Sequence, residues 1–450
     1  MLKTITLILA LTAAIISAAL ITINVRSDGT ALIDEGALSH EQRQWATTAW
    51  RYVQNNTQPS SGLVNGKDRY PATTLWNLGD TLIALTSARR LNLISQAEFD
   101  VRLSALLRTL SKLPLTTAGT PNSLYNSVDG SLNQQQPTTT KAQDLARLLI
   151  GMRMLLSHFP QYRTYLERSV MRWNFCPIID NQGLLQDGQQ QNNRWKTQAI
   201  ADIEYADYSR AGFSLWGFEL SQQPLPFKKA IMSGFVIDYT PRDPRLGGGP
   251  AGVESTPYIV TGLELGWKMP DNSLASTRMQ TRAKRVYQIQ EKRWQQDQIL
   301  TARAQYSRST APWEIYDSIF ANGYPWNTLA EGTRYTPELA LLSTRAIFGL
   351  WALWDTPYTQ ALMQLGNLHQ DAEHGWFEGR YETNGSHNRT YTLTTNTLVL
   401  EAILFKSTGK PLIRSVASGG YLEAQMHNIF NWPRRCLPQE RNPQPMQKEE

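Results

Sequence analysis

Apolar residues recur at helical spacing along most of this 450-residue chain, and that pattern narrows the fold more than any other feature. Phe99, Leu103, Leu106 and Leu110 form one stripe, and Leu145, Leu149, Met152 and Leu156 a second. Leu342, Ala346, Gly349 and Leu353 repeat it far downstream. Counted this way, roughly a dozen segments of ordinary helix length follow one another. Strand signals are few: Phe235–Tyr239 is the best, and several loops have room for small hairpins. Strands do not alternate with helices, so a parallel α/β sheet is not expected.

A weak internal repeat says how the helices are arranged. GLVNGK (62–67), GLLQDG (183–188) and GWFEGR (375–380) share a Gly-apolar-apolar form, and each follows a helical stretch. One tight loop recurring after helices points to a ring of helical hairpins with loops gathered on one rim.

The ends of the chain differ from its body. Residues 5–25 carry no charge, lie between Lys3 and Arg26, and match the length one helix needs to cross a bilayer. Ser17, Ala18 and Ala19 fall inside the apolar run and not after it, which favours a retained anchor over a cleaved signal. Lys3 would stay cytoplasmic, leaving the rest outside. The expected organisation is an anchor over 1–25, a tether over 26–40, one large domain over 41–432 and a disordered tail over 433–450, rich in Pro, Gln, Lys and Glu. The expected location is the bacterial inner membrane, crossed once, with the domain in the periplasm.

Composition limits the partners. A net charge of +6 is mild, and the one basic stretch, Arg278 to Arg293, has the apolar spacing of a solvated helix face, so no nucleic-acid partner is expected. Two cysteines, Cys176 and Cys436, are too few for a zinc site, and their pairing stays open. No metal and no cofactor is expected. The run GGGPAG (247–252) follows no strand and contains Pro250, so no pyrophosphate turn is expected there. The chain has 14 Trp and 18 Tyr against 12 Phe, an excess of amphipathic rings that suits stacking on sugars and also packing between helices.

Four loops set carboxylates beside such rings. They contain Trp76, Asn77 and Asp80; Glu204, Asp207 and Tyr208; Tyr324 and Trp326; and Trp376, Glu378, Arg380 and Glu382. Sugar recognition needs flat faces for the ring C–H surface, with carboxylates, amides and Arg for the hydroxyls. Hydrolysis adds two carboxyls facing across the bond. Glu204, Asp207, Asp80 and Glu382 are the catalytic candidates. Trp76, Asn77, Tyr208, Tyr324, Trp326, Trp376, Glu378 and Arg380 are the binding candidates. The competing readings are helix capping for Asp80 and packing between hairpins for Trp76, Trp326 and Trp376.

The runs TTLWN (73–77), PNSLYN (121–126), YSRAGFSLWG (208–217), ESTPYIVTGLELGW (254–267), YDSIFANGYPWN (316–327) and LTTNTLVLEAI (393–403) resemble, in that order, a bacterial domain-of-unknown-function family with glucoamylase-like, six-hairpin glycosidase affinities. The resemblance covers nearly all of 41–410. It implies an all-α (α/α)6 toroid with short β-hairpin loops on one rim, and a glucan or exopolysaccharide partner in a groove there. Asn77, Ala206 and the neutral run Gln305, Tyr306 and Ser309 stand where acids are usual in that family. Two readings therefore stand: a glycoside hydrolase using carboxylate acid/base chemistry, or an inactive glycan-binding or scaffold component of a polysaccharide synthesis or export system.

Overall fold

A computed structural model describes residues 38–132, 136–200, 203–218, 220–222, 227–241, 252–270, 273–321, 323–331 and 333–413; the side chains of Ile203, Glu204 and Ser273 are outside this description. The expected anchor (1–25), most of the tether and the whole segment after residue 413, Cys436 included, lie outside the described residues. Among the described residues no helix is long and apolar enough to cross a membrane.

Eleven α-helices are present among these residues: α1 (His40–Asn56), α2 (Leu75–Arg90), α3 (Gln96–Leu110), α4 (Ala142–His158), α5 (Arg163–Met171), α6 (Ile203–Ser214), α7 (Thr256–Leu265), α8 (Ser273–Asp297), α9 (Thr344–Leu353), α10 (Pro357–Gly366) and α11 (Leu393–Thr408). Local chemistry sets several starts. Ser39 with Gln42, Thr74 with Asn77 and Thr356 with Thr359 form reciprocal capping boxes. Gly409, at φ +71°, closes α11 in the left-handed conformation that a side chain disfavours.

The helices divide by how they are buried. α1 buries one stripe, including Trp45, Ala49, Trp50 and Val53, as an outer helix should. α2 buries every residue from Leu75 to Ala88 except Trp76, and α11 buries almost its whole length, so both must be surrounded. Contacts close a ring in the order α2, α4, α6, α7, α9, α11 and back to α2, with α1, α3, α5, α8 and α10 outside. α2 and α4 touch backbone to backbone: a Cβ on Gly79 would sit 2.5 Å from the Arg147 carbonyl oxygen. Between α6 and α7, where a sixth outer helix would stand, the described residues hold an antiparallel hairpin, Lys228–Met232 with Phe235–Tyr239, packed on α8.

The all-α expectation needs correction here. Turns from inner to outer helices are short, such as 91–95 and 354–356, whereas the returns, such as 111–141, 298–343 and 367–392, are long and carry small antiparallel sheets. One hairpin, Gln186–Gln191 with Arg194–Ala199, turns on Asn192 and Asn193 at φ +51° and +57°, as a tight two-residue turn requires. Because the inner helices run parallel, all the long returns reach the same rim. All three Gly-apolar-apolar segments fall on such returns.

Candidate functional site

The ring is filled by charge at its axis. Arg147, from the sixth position of α4, donates through Nε to Asp80 of α2 (2.9 Å) and through Nη1 to the Tyr208 hydroxyl of α6 (3.0 Å). It also binds Glu264 of α7, and Nη2 donates to Glu401 of α11 (2.9 Å). Five of the six inner helices thus meet on one guanidinium. Arg147 is 1% exposed, and the three carboxyl side chains are not exposed at all. Burial opposes the Arg147 charge, but Glu401, Tyr208, Glu264 and Asp80 outweigh it and hold its pKa well above the usual value. One cation cannot neutralise three carboxylates. Burial accordingly raises the pKa of Glu264 and, more strongly, of Glu401, whose charge the neighbouring Glu264 also disfavours. Half-buried Trp76 lies above this hub, 5.1 Å from the guanidinium and against Tyr205 (6.0 Å) and Tyr208 (5.8 Å).

The rim begins at Trp76. Six parallel helix N-termini end here and favour negative charge. Asp187 accepts from the Ala142 N–H (2.8 Å) at the start of α4, and Glu254 from the Thr256 N–H (2.7 Å) at the start of α7. Glu254 also takes the Tyr205 hydroxyl (2.8 Å). Arg345, at the start of α9, holds both oxygens of Glu378 (3.0 and 2.8 Å), which Thr392 and Thr395 also bond.

Between these anchored groups is a set that solvent reaches. Lys141 is exposed, and its pKa is raised by Asp144 first, with further contributions from Tyr316, Asp187 and Glu314. Asp144, 9% exposed, is pushed up to about 6 by burial; Lys141 opposes the shift, and Asp187 and Asp80 add to it. Burial also raises Asp187 and Glu314. Glu314 and Lys141 are open to water, yet enough protein surrounds Glu314 to disfavour its charge. Glu314 further feels Lys67, which opposes the shift, Glu378, which adds to it, and Arg345, which opposes it. A carboxyl titrating near 6 beside ionised neighbours can deliver a proton near neutral pH.

The candidates from the sequence distribute unevenly over this frame. Trp76 lies at the centre of the rim. Tyr324 is 49% exposed, and Trp326 is half-buried under Arg293 (4.2 Å). Glu382 faces the same arginines, bonding Arg303 (2.8 Å) and Arg293 (3.3 Å). Several placements correct the expectation. Trp376 is fully buried against Phe348 with its indole N–H on the Trp45 carbonyl, so it offers no face to a sugar. Asp80, Tyr208 and Glu378 are likewise sealed from solvent, the first two in the Arg147 hub. Asp80 is not the cap of α2, because Thr74 and Asn77 form that cap, which also uses the Asn77 amide structurally. Asp207 turns outward to Arg278 (3.1 Å) and Arg282 (3.7 Å) of α8. Arg380 is half-exposed beside Gly385. The Glu204 side chain lies outside the description.

Lys141, Asp144, Asp187, Glu254, Glu314, Arg345 and, in the hub, Arg147, Glu264 and Glu401 are absent from the candidates the sequence offered. Glu264 did leave a signal: it is the lone charge in a helix buried along its whole length, with no outer face to occupy. Asp144 is an acidic residue in the first turn of α4, an ordinary feature of helices.

Solved structures share this architecture. An endo-β-1,2-glucanase from Chitinophaga pinensis, in complex with sophorotriose and glucose, superposes with a TM-score of 0.59 at 13% identity, covering 87% of this chain and 98% of that one. An endo-β-1,2-glucanase from Talaromyces funiculosus, in complex with β-1,2-glucan, gives 0.56 at 13%, covering 87% and 89%. A proposed glucoamylase from Bacteroides caccae gives 0.60 at 12%, covering 86% and 98%. At these identities the likeness is one of fold: a glucoamylase-like (α/α)6 toroid. No curated protein matches the chain in sequence. The family model described as "Protein of unknown function (DUF3131)" matches residues 44–409, and the chain belongs to that family.

Proposed function

We propose that this chain is a bacterial envelope protein that binds a β-glucan along the rim formed by the inner-helix N-termini and cleaves it by carboxyl acid/base chemistry. The carrying observation is that Lys141, Asp144, Asp187 and Glu314, from three distant segments, act on one another's charge at the N-terminus of α4, where Asp187 accepts from the Ala142 N–H and Lys141 and Glu314 are open to water. Asp144 is assigned the proton donor because its carboxyl titrates near 6. Glu314, which like Asp144 acts on the Lys141 charge and whose upward shift Lys67 and Arg345 oppose, is assigned the partner carboxyl that activates water or stabilises positive charge on the sugar. The glucans bound by solved relatives support the substrate class. The uncharged run 5–25 supports an inner-membrane tether with the rim in the periplasm.

Binding without cleavage is the second reading. It is favoured by the number of acids already committed: Asp80, Glu378 and Glu382 are each held by buried arginine. Incubation with β-1,2-, β-1,3- and β-1,4-glucans, scoring reducing ends and retardation of the protein by each polymer, separates the two. Release of reducing ends that disappears in Asp144→Asn supports cleavage. Retardation without release supports binding alone. Neither, for any polymer, refutes the glucan reading.

A further inference from the structure

An exposed tryptophan adjoins Glu314, and the loop that carries it is braced more than an idle surface ring requires. Trp313 is 54% exposed. The Arg308 N–H donates to the Trp313 carbonyl (2.8 Å), and the Arg308 guanidinium donates to the Ala311 carbonyl (3.1 Å). Lys67, from the distant return before α2, donates to the Arg308 carbonyl (3.0 Å) and places its ammonium 5.9 Å from the centre of the indole. Tyr70, 63% exposed, sits one turn from Lys67, its N–H on the Lys67 carbonyl (3.1 Å). Two segments some 240 positions apart therefore cooperate to fix one aromatic ring at the end of the acidic surface.

We propose that Trp313, with Lys67 over one face of its ring, is an outer sugar subsite that lies past Glu314 and holds a pyranose beyond the two units flanking the reacting bond, so that the rim selects a polymer over short oligosaccharides. This rests on the glucan reading above. Indole stacks on the C–H face of a pyranose, and Lys67, over one face of the ring and bonded to the Arg308 carbonyl, leaves the other face for the sugar. The geometry fits a neutral chain: Lys67 is the cation in contact with the indole, and Glu314 follows Trp313 directly. A ligand too short to reach from Asp144 past Glu314 gains nothing from the ring.

The test compares Trp313→Ala with wild type, both as full-length chains, for binding of a long β-1,2-glucan and of sophorotriose by calorimetry. Wild type should bind the long chain more tightly. Trp313→Ala should weaken the long chain about tenfold, leave the trisaccharide within about twofold, and be rescued by Trp313→Phe. Tyr165→Ala, which removes an equally exposed ring on α5, should change neither. Equal losses for both ligands, or no loss for the long chain, overturn the subsite while leaving the glucan reading intact. Wild-type protein that binds neither ligand overturns both.

Discussion

Replacing Arg147 with Met should be the most damaging single change in the ring's interior. Met keeps much of the volume but removes the cation shared by Asp80, Glu264 and Glu401, all fully buried. Breaking one buried pair by removing a partner costs about 3–5 kcal/mol, chiefly because a buried charge is left uncompensated. Three carboxyls are stranded here, but the cost does not triple. Glu264 and Glu401 already have raised pKa values and can take up protons instead of remaining charged. About 4–5 kcal/mol is therefore expected. Unfolding entropy of ~2 cal/mol/K per residue over the 44–409 span turns that into a fall in Tm of about 5–7 °C.

The pH dependence gives a second check. A carboxyl whose folded pKa is raised binds more protons in the folded state, so its stability penalty grows as pH rises from the ordinary value through the folded one. Losing Arg147 raises these values further. The melting gap between Arg147→Met and wild type, followed by far-ultraviolet circular dichroism, should therefore narrow as pH is lowered from neutral towards the ordinary glutamate range. Adding Glu264→Gln and Glu401→Gln to Arg147→Met should recover more than half the loss. A penalty below about 1 kcal/mol, or a gap that widens on acidification, would refute a charge-paired axis.

Other predictions separate the rim from its supports. Asp144→Asn should lower glucan turnover by about a hundredfold or more while leaving binding nearly intact; wild-type turnover should fall as pH rises through about 6, where the proton is lost, in initial-rate profiles. Trp76→Ala should weaken glucan binding roughly tenfold in titration calorimetry, because it removes the ring at the centre of the rim. Trp376→Ala should instead lower stability by about 3–5 kcal/mol in denaturant melts, with the affinity of the folded protein unchanged. Asp207→Asn should cost about 1–3 kcal/mol through its arginine contacts and leave turnover at the wild-type value.

The sequence by itself determined the helices. Phe99, Leu103, Leu106 and Leu110 are all buried in α3, as are Leu145, Leu149, Met152 and Leu156 in α4, because burying an apolar stripe is a local demand of helical spacing. Phe235–Tyr239 is the strand expected, and the Gly-apolar-apolar segments share a rim because each lies on a return to an inner helix, although GWFEGR is part of the strand Gly375–Tyr381 and not a tight loop. Leu342 departs from its stripe: it belongs to the strand Leu341–Ser343, just before α9, where pairing with Arg380 outweighs local spacing.

Only the tertiary structure decided which charges meet. Arg147 lies 67 positions from Asp80, 117 from Glu264 and 254 from Glu401, and nothing in a local window orders such partners. The same closure took Trp376 into the core and turned Asp207 towards α8. It also raised Asp144 and Glu314 to the rim. Side-chain type announces what a residue can do, whereas burial and the sign of its neighbours decide what it does, and both are properties of the closed ring.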